Sequence, residues 1–131
     1  MIQFDPVPPL RDHVIAAIRQ LRTEIRWKPG KGPKHVRTRQ KYGHLPSEAT
    51  LADYEAIITR ILFRPTADVY IYVWQEDAVY PTVVAIYENE HWLVMFGLDG
   101  IMETAFPPTD PVTYLSDPRF RYIGTMQELL P

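Results

Sequence analysis

The feature that most constrains this chain is a change of hydrophobic period at Asp68. Ahead of it, Leu10, Val14, Ile18, Leu21 and Ile25 recur at spacings of three and four with Arg11, Arg19 and Arg22 between them, which predicts an amphipathic helix ending near Trp27. A second helix is expected from about Thr50, where Thr50 and Asp53 have capping-box spacing and Leu51, Tyr54, Ile57, Ile58, Ile61 and Leu62 supply the buried stripe. Beyond Asp68 the period is that of strands. Val69 to Trp74, Thr82 to Tyr87, Trp92 to Leu98 and Ile101 to Phe106 are rich in β-branched and aromatic residues, and Phe120 to Ile123 reads as a last edge strand. Asn89-Glu90 and Asp99-Gly100 read as hairpin turns, so the strands form an antiparallel meander of four to five strands, and the class is α+β.

A chain of 131 residues is about the size of one hydrophobic core, so a single domain over 1–131 is expected. It divides into an N-terminal helical part (1–27), a basic loop (28–47), a second helix (48–64) and a sheet (68–124). Hydrophobic residues at 46% and charged residues at 23% are ordinary for a folded domain. The absence of cysteine excludes disulfides, thiolate metal sites and cysteine nucleophiles. No apolar run approaches the roughly 18 residues of a membrane span, and the first residues lack a signal-peptide pattern. The chain reads as cytoplasmic, although a module of a larger exported toxin would look the same.

Charge is segregated. Seven of the 14 Lys and Arg residues lie between Arg26 and Lys41, while no Asp or Glu occurs from Ile25 through Ser47. The remainder carries seven basic against 16 acidic residues, a balance of −9. This is the footprint of a site for a polyanion on an acidic body, or of a basic loop that pairs with that body. Lys28-Pro29-Gly30-Lys31-Gly32-Pro33 reads as a loop, because each proline lacks a donor and restricts its predecessor.

Within this segment His35 stands among Lys31, Lys34, Arg37, Arg39 and Lys41, and His44 follows Tyr42-Gly43. A neutral imidazole takes a proton from a ribose 2′-hydroxyl, an imidazolium returns one to a leaving oxygen, and guanidiniums stabilise charge on phosphate. The alternative is that His44 packs the entry to the second helix and His35 is a surface residue. Metal binding is disfavoured, since neither histidine has ligand spacing or an adjacent carboxylate. Trp27, Tyr42, Trp92 and Phe96 are candidates for stacking on unpaired bases or for the core. A turn at Asp99-Gly100 pairs Leu98 with Ile101, Met95 with Thr104 and Phe96 with Glu103. Thr104 then shares a face with Val84, Leu93, Met95, Met102 and Phe106, and Glu103 lies on the other. Glu103 is a candidate base and Thr104 a candidate phosphate ligand.

The order of parts, Lys34-His35-x-Arg37-x-Arg39, His44-Leu45-Pro46, a helix, then a meander with Trp92-Leu93-Val94-Met95 and Glu103-Thr104-Ala105-Phe106-Pro107, resembles the barnase/EndoU/colicin/RelE-like nucleases over roughly Lys34 to Gly124. The resemblance implies two N-terminal helices packed on one side of a curved antiparallel sheet and cleavage of RNA without a cofactor or metal. It implies His35 and His44 as proton-transfer groups, Arg37 or Arg39 as phosphate ligand, and Thr104 in preference to Glu103 on the late strand. RNA is then the substrate, with a cognate antitoxin or immunity protein as a partner. Two other readings stay open: a non-catalytic nucleic-acid-binding module, and a small interaction protein whose basic loop meets an acidic partner.

Overall fold

The computed structural model describes residues 3–131, so Met1 and Ile2 of the expected N-terminal part lie outside it. Its first helix, α1 (Pro8–Thr23), starts with two prolines at positions whose N–H groups would have no intrahelical partner, and buries Val14, Ala17, Ile18 and Leu21. It stops a turn short of the expected end. The Thr23 hydroxyl donates back to the Arg19 carbonyl (3.1 Å) and Glu24 is already extended. The next residues run along the sheet instead, where the Arg26 carbonyl accepts from the Met102 N–H at 2.8 Å.

The expected basic loop is a helix over most of its length, α2 (Lys31–Lys41). Pro33 falls in its first turn, where a missing donor costs nothing, and Gly30 adopts a left-handed conformation (φ 75°) just before it. Gly32 permits close docking: a Cβ there would lie 3.1 Å from both Leu51 Cδ1 and Trp27 Cδ1. With Val36 buried on the same helix, two small contacts anchor an otherwise polar element. The second expected helix is therefore the third, α3 (Leu51–Leu62), and its Thr50/Asp53 capping box forms as expected, with Asp53 Oδ2 accepting from the Thr50 N–H at 2.8 Å.

Strands β1 (Asp68–Gln75), β2 (Ala78–Tyr87), β3 (Glu90–Phe96) and β4 (Met102–Phe106) form an antiparallel meander. The short helix α4 (Pro111–Leu115) leads to β5 (Phe120–Thr125), which pairs antiparallel with β1, and α5 (Met126–Leu129) ends the fold. The order β4-β3-β2-β1-β5 leaves β4 and β5 as edges. The β2–β3 turn is Glu88-Asn89, one residue earlier than expected; both have positive φ, 47° and 68°. One face of the sheet meets the helices: Val69, Ile71, Val83, Ala85, Trp92, Val94 and Phe96 share a core with α1, α3 and Val36. The other face carries a second cluster, Tyr70, Val84, Leu93, Met95 and Phe120, against which Leu115 of the β4-to-β5 crossover packs.

The β3–β4 register decides where the late-strand residues go. Met95 pairs with Thr104 as expected, but Phe96 pairs with Met102 and not Glu103. The connection is longer than a two-residue turn: Gly97 N–H donates to Ile101 O and Gly100 N–H to Gly97 O, each at 3.0 Å. Glu103 is thus the extra residue of a β-bulge, and Met102 joins the helix-side core with Phe96 instead of the face shared by Thr104 and Met95.

Candidate functional site: a cationic cleft between the second helix and an edge strand

Because α2 is a helix, its polar residues are sorted by angle. Lys31, Lys34, His35, Thr38 and Arg39, at successive spacings of three, one, three and one, fall on one side. That side faces β4. Together with Lys28, Met102, Glu103 and Thr104 these residues line a cleft of about 390 Å³. Arg37 and Lys41 are exposed and do not line it. Both Glu103 and Thr104 border the cleft, which the alternation of a regular strand would forbid; the bulge at an edge strand allows it.

Both walls are tied to one aromatic column. The His35 ring stacks on Trp27 (centroids 5.3 Å, 30°), and Trp27 on Tyr54 (5.7 Å, 20°). Trp27 Nε1 donates to Glu55 Oε2 at 2.8 Å. The buried Tyr54 hydroxyl donates to the Ala105 carbonyl (2.5 Å) and accepts from the Ala105 N–H (3.1 Å), so it satisfies both outward backbone groups of Ala105 on the edge strand. Burial pushes the Tyr54 phenol up to about 12, keeping it a donor. Burial also lowers the proton affinity of His35, with Arg39, Lys31 and Lys34 acting in the same direction and Glu103 opposing them. His35 is therefore a neutral base at pH 7 with a carboxylate near enough to favour its imidazolium.

Arg39 is held at the far end. Its Nη1 lies 2.8 Å from His44 Nδ1, and because a guanidinium only donates, His44 accepts there and carries its proton on Nε2. Burial and then the Arg39 charge lower the His44 proton affinity, against a smaller opposing effect of Glu90. The guanidinium also lies over the rings of Phe106 (5.3 Å) and Tyr42 (5.8 Å), and its Nε is buried without a hydrogen-bond partner. His44 itself does not line the cleft; it borders two other depressions. The geometry makes it a support for Arg39.

Of the residues singled out in the sequence, the cleft gathers Lys31, Lys34, His35, Arg39, Glu103 and Thr104. Lys28, Thr38 and the supporting roles of Trp27 and Tyr54 emerge only from the fold; helical spacing from His35 would have found Thr38. Among the described residues, no group of three or more His, Asp or Glu side chains is arranged to hold a metal ion. No helix among them is long and apolar enough to cross a membrane. A larger hollow of about 970 Å³ lies on the opposite face over Tyr70, Val84 and Phe120. It is mostly apolar, whereas an imidazole, a carboxylate and four cations line the smaller cleft, which makes the smaller one the candidate site.

No protein-family model matches the chain, and neither the curated proteins nor the solved structures contain a significant match to it.

Proposed function

We propose that the α2–β4 cleft binds an RNA phosphodiester and that the chain is a metal-independent endoribonuclease of toxin type. The observation that carries this reading is the convergence of His35, Glu103, Arg39 and three lysines, Lys28, Lys31 and Lys34, on one cavity. In the reaction the 2′-hydroxyl proton passes to His35, the 2′-oxygen forms a bond to phosphorus, and the bond from phosphorus to the 5′-oxygen breaks. The leaving oxygen takes a proton from a lysine ammonium of the cleft, and the product is a 2′,3′-cyclic phosphate. Glu103 stabilises the imidazolium as it forms, and Arg39 with Lys31 and Lys34 offsets charge on the non-bridging oxygens. Arg39 is preferred to Arg37 as the phosphate ligand, since Arg37 does not line the cleft. Incubation of purified protein with total RNA and excess chelator tests the reading. Cleavage should occur and fall about 10²- to 10⁴-fold in His35→Ala; intact RNA with the wild-type protein would refute it.

One observation favours a second reading, a nucleic-acid-binding module without turnover. His44, expected as a second proton-transfer group, is engaged by Arg39 outside the cleft. In that case RNA binds in a salt-sensitive way, is weakened alike by Lys31→Ala and Arg39→Ala, and is never cut.

A further inference from the structure

The molecule also exposes an aromatic ridge far from the cationic cleft. Trp74 is 53% exposed, whereas Trp92 is buried and Trp27 half-buried. It stacks on Tyr72 two residues earlier in β1, with ring centroids 6.3 Å apart and planes 19° from parallel. The register of β1 with β5 ends at Tyr72 and Phe120, and after one more hydrogen bond, from the Val73 N–H to the Arg119 carbonyl at 2.9 Å, Trp74 has no β5 residue opposite it. Arg119 lies over both rings, 5.3 Å from Tyr72 and 5.4 Å from Trp74.

That guanidinium is already committed. Asp117 accepts from Arg119 Nη2 at 2.6 Å and from Nε at 3.1 Å, an arrangement that holds the carboxyl down to about 2. Glu76 and Asp77 form the exposed turn just beyond Trp74. With Arg119 neutralised by Asp117, the charge left around the ridge is negative, which repels a nucleic-acid backbone and attracts a cationic partner. Tyr72 is backed by Phe120 (ring centroids 4.6 Å apart), so the ring left open on this ridge is the exposed Trp74, a flat apolar surface of the kind on which the rings of a polyproline II helix dock, whose extended form is already ordered before binding.

We propose that the Tyr72–Trp74–Arg119 ridge is a protein-docking surface for an extended, proline-containing segment with basic residues, which approach the Glu76-Asp77 turn. The prolines seat on the Trp74 ring and the cations pair with the turn carboxylates. This surface is separate from the cleft, and its occupancy does not depend on whether the cleft cuts RNA.

The test uses the full chain, a synthetic peptide of repeated Pro-Pro-Arg, a Pro-Pro-Glu peptide of equal length, and oligouridylate, each titrated by calorimetry. The Pro-Pro-Arg peptide should bind, and Trp74→Ala should weaken it about tenfold or more. Reversal of the turn charges (Glu76→Lys with Asp77→Lys) should weaken that peptide and improve binding of the Pro-Pro-Glu one. Oligouridylate binding should not change in Trp74→Ala. Both sites are exposed, and unchanged melting curves confirm that the variants fold. Failure of the Pro-Pro-Arg peptide to bind, equal binding by Trp74→Ala, or loss of oligouridylate binding in that variant would overturn the proposal; the last outcome would assign the ridge to RNA.

Discussion

At the scale of single residues, what matters is which cations can reach one point. Arg37 and Arg39 are two apart in sequence and 200° apart around a helix, so one faces solvent while the other lines the cleft. Arg39→Ala should therefore cost RNA binding about 1.5–3 kcal/mol, the range for a hydrogen bond to a charged group, while Arg37→Ala leaves it within about twofold. Fluorescence anisotropy with a labelled oligonucleotide checks both. The two histidines set a pH dependence. Both His35 and His44 have folded-state proton affinities lowered from the ordinary 6.5, mainly by burial. Between the lowered values and 6.5 the unfolded chain binds more protons than the folded one, so stability rises with pH through that window. The contribution is complete above about 6.5 and is lost as pH falls below it. Urea unfolding across pH 4.5 to 7.5 should show this slope. It should flatten in a His35→Gln, His44→Gln double variant.

At the scale of elements, the cleft depends on how α2 is held against β4. Tyr54 links them through its stack with Trp27 and its two hydrogen bonds to Ala105. Tyr54→Phe keeps the ring and removes the hydroxyl, leaving a buried N–H and C=O unpaired, and should lower stability by about 1–3 kcal/mol in urea denaturation. Much of this architecture was legible in the sequence. The α3 capping box, the antiparallel meander and the Met95–Thr104 pairing follow from local pattern, because adjacent strands joined by short turns leave few registers. Two elements were not legible for physical reasons. Pro33 and two glycines look like helix breakers unless the helix is known to start at Lys31, and the close approach of Gly32 to Leu51 that accompanies this start is a contact with a residue 19 positions away. The bulge at Glu103 arises from the Gly97–Ile101 loop closing with two extra hydrogen bonds, which an Asp-Gly dipeptide does not announce. Both misreadings concern the cleft: the first hid which basic residues converge, and the second separated Glu103 from Thr104.

At the scale of the whole molecule, a helix with five Lys and Arg residues and no Asp or Glu is set on a body that carries nine basic against 16 acidic residues, a balance of −7. Such a molecule should orient a polyanion onto one edge and repel it elsewhere, the sheet ridge at Trp74 included. Binding of single-stranded RNA should then weaken steeply with salt, and each of Lys31→Ala and Lys34→Ala should reduce the slope of log K against log salt by about 0.7. Equal slopes in the variants and the wild type would move the RNA surface elsewhere. The central claim is that the cleft turns a ribose hydroxyl against its own phosphate. A DNA oligonucleotide with one ribonucleotide in its middle, incubated with enzyme in excess chelator, tests it most directly. The account predicts a single cut on the 3′ side of that ribonucleotide, a 2′,3′-cyclic phosphate end detected by mass spectrometry, and no cut with His35→Ala. An uncut strand, cuts at deoxy positions, or equal cleavage by His35→Ala would contradict it.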